Sequence, residues 1–420
     1  MTLELARRIA FTIGALLVFR LGSHIPVTAM WTLSGPLPAG ALARVSIFSL
    51  NLVPYLSAAV LIRLLSIVWG RLSSLEHSGE VGRSRIARYT LLLTLVLAAF
   101  QGFGIASAIA GIPGLVPDQD SLFLLQATAS MVGGTFFLIW LSEQITLHGI
   151  GNGLALVLSV SILASLPSDV AATIELVNRG AVSSNLVLFD TLFWVAVVAL
   201  IVFVESARRN VPVEFGARKV GKTELAARAS VLPLKVNSTG LLIPAIFVPW
   251  LLYLPLLAFA AIFGGNTPWL RAAITHLRFA QPAHMILSAI LVFILVFVYA
   301  SYVVDPERSA EQLHKQNGVI PGVEPGEATA DYLDRVASLT MVIGALYLTA
   351  LSLIPEALVA YAVGLPTTLS LTPETLVANG AALPYKFSGG AALIVVCTIL
   401  DLKTQVRGVS PTRPPGGEQQ

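Results

Sequence analysis

Long apolar stretches separated by short polar ones dominate the chain. The stretch from Val236 to Leu270 contains no Asp, Glu, Lys or Arg, and neither do Tyr89 to Pro117, Phe279 to Val304 and Val336 to Pro355. Each is long enough to cross a hydrocarbon layer as a helix, at roughly 20 residues per crossing. Ten spans fit the pattern, at roughly 9–27, 46–69, 89–111, 122–141, 152–168, 187–205, 236–262, 282–304, 336–356 and 383–401. Composition agrees: the chain is 55% hydrophobic and only 12% charged, with a mean hydropathy of +0.81. So few charges cannot coat several soluble domains. The expectation is an all-α polytopic membrane protein.

Ten crossings place both termini on one side, and the basic residues say which. On the terminus side lie 19 of the 26 Lys and Arg, seven of them in 206–235 and three in 305–335. By the positive-inside rule, the termini and these two loops are expected in the cytoplasm. The first apolar run follows Arg7 and Arg8, holds Arg20 and His24 and lacks a small-residue cleavage pattern, so it reads as a permanent span. Ten spans also divide into five and five. The expected halves are 1–168 and 187–405, joined by a hinge loop at 169–186, with a disordered Pro/Gly-rich tail at 406–420. An odd number of spans per half inverts the second half relative to the first, a topology shared with secondary transporters.

Candidate chemistry is sparse. Cys397 is the single cysteine, so neither an intrachain disulfide nor a Cys-rich metal site is expected. No HExxH, GxSxG or paired-carboxylate arrangement falls within a span, and the six histidines are scattered over loops and span ends. No enzymatic activity, cofactor or metal is expected. The run Gly216-Ala-Arg-Lys-Val-Gly221-Lys222-Thr223 formally matches a phosphate-binding loop. That loop works only on a parallel sheet with a helix behind it, and the 30 residues of 206–235 are too few to build one. It reads instead as the basic tip of a hairpin that follows the strand-like Val211–Phe215. Asp190 and Glu205, near the ends of one span, read as interfacial groups in preference to a proton relay. Arg63 stands among apolar neighbours. It either snorkels to the cytoplasmic surface or faces a polar cavity or another helix.

The polar islands between these runs carry a second message. In order come Arg20-Leu-Gly-Ser-His-Ile-Pro26, Ser46-Ile-Phe48, Pro54-Tyr-Leu-Ser57, Glu80-Val-Gly-Arg83, Gly134-Thr-Phe-Phe-Leu-Ile-Trp140, Glu143-Gln-Ile-Thr146 and Gly149-Ile-Gly-Asn-Gly153. They continue with Val202-Phe-Val-Glu205, Arg208-Arg209, Leu232-Pro-Leu-Lys-Val-Asn237, Ile243-Pro-Ala-Ile-Phe247, Gly322, Pro325-Gly-Glu327 and Gly389-Gly390. From about residue 5 to 405, this succession resembles the SecY family. The resemblance implies the central subunit of a protein-conducting channel: two inverted five-helix halves around an hourglass pore, with a lateral gate to lipid.

Carried over through those motifs, the pore ring falls on Leu52, Leu56, Leu154, Leu158, Ile246 and Ile394, which without the family would read as ordinary packing residues. Branched apolar side chains of this kind can close round a chain and dewet an empty pore. The lateral gate falls on Arg63 and Asn237, with Arg63 standing where the family usually has a neutral amide. Cytoplasmic docking falls on Arg208, Arg209, Arg218, Lys219 and Lys222, read as a basic tip for ribosomal RNA phosphates or an acidic protein face, and on Glu324. Implied partners are a SecE-like subunit, a SecG-like one, the ATPase SecA or the ribosome, signal sequences and preproteins, and the bilayer of the inner (plasma) membrane. Two departures matter. The segment between Pro26 and Arg44 is about half the usual length and rich in Pro and Gly, which points to a reduced plug. Glu324 stands where the family typically has Arg, which weakens the expectation of ordinary SecA coupling.

Overall fold

The computed structural model describes residues 3–27, 46–110, 121–180, 183–215, 218–220, 223–225, 228–235, 248, 251–252, 267–277, 281–303, 306–316, 318–363 and 389–409. Its helices are α1 (Leu3–Gly22), α2 (Val53–Val68), α3 (Gly70–His77), α4 (Gly79–Ala110), α5 (Ser121–His148), α6 (Gly153–Asn178), α7 (Ser184–Ser206), α8 (Pro268–His276), α9 (Pro282–Val303), α10 (Pro306–Lys315), α11 (Glu327–Val363) and α12 (Gly389–Val409). The strands are β1 (Arg208–Phe215), β2 (Arg218–Val220), β3 (Thr223–Leu225), β4 (Arg228–Lys235) and β5 (Gly318–Val319). Nine of the ten expected spans coincide with helices. The seventh, 236–262, lies almost wholly outside the described residues.

Several boundaries differ from the sequence reading, each for a local reason. Helix α2 starts at Val53 rather than near 46 because residues 46–52 form turns that end on Asn51, held at φ 51°. Pro54 in the first helical turn suits this start, since its missing N–H would have no helical partner there. Helix α6 continues through Pro167 to Asn178, so most of the expected hinge 169–186 is helical. The extension is rich in Ala, Val, Ile and Leu, and the chain breaks only near Gly180, at φ 68°. Helix α12 likewise runs to Val409, four residues into the expected tail.

The chain separates into two compact units, residues 1–167 with 394–420, and 168–393. In the first, a turn is wedged between two helices. Phe48 stacks on Phe19 of α1 at 5.9 Å and on Phe137 of α5 at 5.8 Å. Glycines make the room. A Cβ on Gly22 would overlap the Phe48 ring, and one on Gly134 would overlap the backbone carbonyl of Ile47. The backbone N–H of Ile47 donates to the carbonyl of Ile25 at 3.1 Å, and Pro26 bridges Ser46. The segment on which the plug expectation rests therefore leaves and returns at adjacent points, but itself lies outside the described residues.

The second unit combines membrane helices with a small layered domain. Strands β4, β1 and β5 form one antiparallel sheet, and β2 pairs with β3 in a short ribbon. Val211 and Val213 alternate onto the inner face of β1, as a period of two requires. They pack with Ala310 and Leu313 of α10, Ile320, and Leu333 of α11. Between α9 and α11 lies a buried polar pair: His284 Nδ1 and Glu356 Oε1 are 2.6 Å apart, with Ser288 Oγ at 3.4 Å from Nε2. Both partners are 5% exposed.

Two outcomes follow for stability. Gly134→Ala is expected to lower the thermal midpoint, by about 1–3 kcal/mol of overpacking. Gly133→Ala, with nothing within 4 Å of its new methyl, leaves it unchanged or slightly raised, so thermal unfolding of the two variants separates close approach from helix propensity. Second, His284→Leu is expected to destabilise the protein by roughly 3–5 kcal/mol by uncoupling a buried ionisable pair. The double variant His284→Leu/Glu356→Leu should recover most of that loss on the same melting assay.

Candidate functional site

The candidate site grows from how α6 is fixed. Gly149-Ile-Gly-Asn-Gly153 connects α5 to α6, and its backbone donors are met from three directions. The N–H of Ile150 donates to Thr12 Oγ1 of α1 at 2.9 Å, that of Gly151 to Gln405 Oε1 of α12 at 2.8 Å, and that of Gly153 to Thr146 Oγ1 at 2.9 Å. Asn152 caps α6, its Oδ1 accepting from Leu154 N at 3.0 Å and Ala155 N at 3.3 Å. The repeated glycines are required sterically. Gly151 is at φ 85°, and a Cβ on Gly153 would overlap the carbonyl of Ser142.

Two faces of α6 then meet two other helices. Ser159 Oγ donates to Thr398 Oγ1 of α12 at 2.8 Å, while Thr398 Oγ1 donates to the carbonyl of Ile394 at 2.7 Å. On the nearly opposite face, Ser161 Oγ accepts from Asn51 Nδ2 at 2.8 Å, immediately before α2. The Asn51 Oδ1 also accepts from Leu52 N at 2.9 Å, so one side chain holds the start of α2 and ties it to α6. A short polar side chain that bonds its own backbone is what makes a positive φ tolerable here.

The expected pore residues fall on these contacts. Leu154, Leu158 and Ser161 lie at i, i+4 and i+7, so both leucines share the face of α6 that reaches α2. Leu52 and Leu56 occupy the start of α2, and Ile394 lies one turn before Thr398 on α12. Leu52, Leu56, Leu158 and Ile394 are buried and Leu154 is half-buried. Five of the six positions thus belong to one unit, on or beside three helices of which α6 is bonded to α12 and, through Asn51, to the start of α2. Ile246 lies outside the described residues.

Arg63, exposed on α2, lines a cleft of about 190 Å³ together with Tyr55, Ser66, Thr90 of α4 and Glu143 of α5. Apolar Ala59, Ile62, Ile86, Ala87 and Leu91 line the same cleft, so Arg63 stands at a mixed surface. Its expected gate partner, Asn237, lies outside the described residues.

The basic residues do not form one cluster. Arg208 pairs with Lys235 and Arg209 with Leu234 at the base of the β1–β4 ribbon, whereas Arg218 and Lys219 lie in β2 beyond its far end. Seven residues of strand separate Arg208 from Phe215, about 24 Å at the usual rise. Among the described members of this set, Arg218 and Lys219 lie toward the tip, because antiparallel pairing carries the start of β1 back beside the end of β4. Lys222 lies outside the described residues. The described residues of the phosphate-loop match, 218–220 and 223, lie in the β2–β3 ribbon, with Val220 opposite Thr223. Glu324 is exposed in the turn between β5 and α11, its carbonyl accepting from Thr329 Oγ1 at 2.7 Å. The sequence reading missed the ties through Asn51, Ser161, Ser159, Thr398, Thr12 and Gln405. Only the Asn before Pro-containing α2, and the Gly-x-Gly-x-Gly rhythm, carried any local signal of them.

Comparison with known proteins converges on one family. A family model described as SecY matches residues 46–403. The protein translocase subunit SecY of Escherichia coli (strain K12) is 37% identical over 425 residues, covering 96% of this chain and 91% of its own length. That of Vibrio cholerae is 36% identical over 430 residues, with the same coverage. Among solved structures, one described as "The structure of a protein conducting channel" aligns with a TM-score of 0.65 at 17% identity, covering 100% of this chain and 96% of that one. Sec61 in the canine ribosome-channel complex aligns with a TM-score of 0.63, also at 17% identity and with the same coverage. The ordered motifs, the helical fold and the matched length agree, and the chain belongs to the SecY family.

Proposed function

We propose that this chain is the central pore subunit of a protein translocase, passing unfolded preproteins across the membrane and releasing apolar segments sideways into lipid. One observation carries the reading furthest: three helices joined by specific hydrogen bonds present Leu52, Leu56, Leu154, Leu158 and Ile394 within one unit. With Ile246 they form the constriction. Branched apolar side chains make a pliable seal, because no ion finds a polar ligand there and a threading chain meets no fixed hydrogen-bond partner.

In this reading Arg63 and Asn237 flank the lateral gate. The protein sits in the inner (plasma) membrane with both termini in the cytoplasm, as the skew of 19 of 26 basic residues supports. A SecE-like subunit braces the channel, with a SecG-like one beside it. Arg218, Lys219 and Lys222 meet the ribosome or SecA, with Arg208 and Arg209 at the base of the β1–β4 ribbon, and Glu324 disfavours the usual SecA contact. The 206–235 loop is too short for a nucleotide-binding domain, so in this reading the driving energy comes from the partner. In this reading the short segment between Pro26 and Arg44 means a reduced or absent plug, which leaves more of the seal to the apolar ring.

Crosslinking tests the pore directly. With Cys397 replaced by Ser, a cysteine placed at Leu56 or Leu154 is expected to crosslink to a preprotein arrested in transit. A cysteine at lipid-facing Leu92 should not; absence of crosslinks from both pore positions rejects conduction through this ring. For the gate, Arg63→Gln is expected to change the signal-sequence hydrophobicity needed for export, measured with a graded series of signal sequences. An unchanged threshold removes Arg63 from the gate.

A further inference from the structure

Helix α12 meets α6 along one stripe of its surface. At 100° per residue, Ile394, Thr398, Leu402 and Gln405 fall within about 80° of one another on α12. Two hydrogen bonds fix this stripe to α6, at different depths. In the buried part, Ser159 Oγ donates to Thr398 Oγ1 at 2.8 Å, and both residues are 4% exposed. About 10 Å further along α12, Gln405 Oε1 accepts the N–H of Gly151 at 2.8 Å, in the turn from which α6 starts. Leu402 packs between the two levels, so close that a Cβ on Gly151 would come within 2.8 Å of its Cδ2. Thr398 faces Ser159 and Gln405 faces Gly151, so the two helices run antiparallel and are bonded like a two-rung ladder.

The rungs differ in their surroundings. The other distant helix that bonds this turn does so through buried Thr12, which accepts from Ile150, whereas Gln405 is exposed. Gly151 on the receiving side is buried and held at φ 85°. A buried N–H without an acceptor costs more than a typical bond gains, so losing Gln405 favours a shifted turn over an unpaired one. That shift does not stay local. On its nearly opposite face α6 is tied through Ser161 to Asn51, so a helix loosened on the α12 side tilts about the Asn51 tie. Leu154 and Leu158, which lie on the Ser161 face, move with it.

We propose that Gln405 is a positioning residue for the pore. It latches the exposed end of α12 to the α5–α6 turn and so holds α6, with Leu154 and Leu158, in the constricted arrangement. The inference rests on the pore reading above and adds the device that keeps the ring closed. Gln405 itself touches no threading chain. Only its acceptor is used, because Gly151 donates, so a carboxylate of the same length can replace the amide and an isosteric hydrocarbon cannot. One net hydrogen bond shifts a two-state population by about fivefold, which sets the size of the expected effect.

The test uses the full chain with its partner subunits, reconstituted into lipid. Amide hydrogen exchange followed by mass spectrometry reads α6, and ion conductance of the idle channel in planar bilayers reads the ring. Gln405→Leu is expected to speed exchange about fivefold in the 149–153 turn and along α6 as far as Ser159, and to raise the leak by a similar factor. Gln405→Glu should return both to wild-type values, a rescue that general loss of folding would not show. Lys403→Gln, an exposed change on the far side of α12 from Ile394, should alter neither. Faster exchange confined to Gly151, a Gln405→Glu variant that leaks like Gln405→Leu, or an unchanged leak while exchange spreads along α6 would each overturn the proposal. Preprotein crosslinks from the Leu56 cysteine, read in the same membranes, separate two failures. Where they persist only the latch falls, and where they are absent the pore reading falls with it.

Discussion

Helices in lipid gain little from covering one another's apolar faces, because the surrounding tails are just as apolar. What holds them is close approach and the sharing of hydrogen bonds. This chain depends on both at a few points. Gly22 and Gly134 leave room for the 46–52 turn to enter between α1 and α5, with Phe48 in an aromatic stack. Gly153 lets α6 begin against the carbonyl of Ser142, and Gly389 lets α12 begin against that of Leu351. A methyl group at any of these would push a helix off its neighbour. The irregular backbone between α5 and α6 keeps its N–H donors paired because protein groups meet them, as Thr12, Thr146 and Gln405 do.

That constraint shapes the candidate pore. The ties between α2, α6 and α12 run through Asn51, Ser161, Ser159 and Thr398, each a short side chain with a fixed partner. They set the rotation of the helices about their own axes, which decides where Leu52, Leu154, Leu158 and Ile394 point. The leucines and the isoleucine have no directional bonds of their own. For the proposed constriction, a frame held by hydrogen bonds would stay while side chains held only by contact part. The layered domain works on other terms. Its core is a water-driven apolar cluster of Val211, Val213, Ala310, Leu313, Ile320 and Leu333, which gives the ribbon and the Glu324 turn a rigid base at the membrane surface.

Much of this was legible in the chain because lipid makes simple demands. A helix must be about 20 apolar residues long to cross, so α4, α5, α7, α9 and α11 announce themselves. The β1–β4 ribbon was legible from Val211–Phe215 and its basic flank, and the phosphate-loop match fails on the length of the 206–235 loop alone. The boundaries were less legible. Hydropathy does not distinguish a helix from turns that are equally apolar, which hid the segment before α2. Nor does it register that an apolar helix continues into a supposed connection, as α6 does to Asn178.

The sequence by itself therefore determined the number and order of the crossings, the side favoured by the basic residues, the small extramembrane ribbon and, through its ordered motifs, the family. Those properties depend on length, hydropathy and short-range pattern, and each is a sum over neighbours in the chain. Only the tertiary structure decided that Asn51 adopts a positive φ to bond Ser161, and that His284 is buried on Glu356. It alone set Arg63 at one cleft with Glu143 and drew Arg208 and Arg209 away from the ribbon tip. Each of these pairs groups brought together by how helices rotate and how strands pair. That rotation is set by a few glycine contacts and hydrogen bonds between distant residues, which leave almost no trace in local composition.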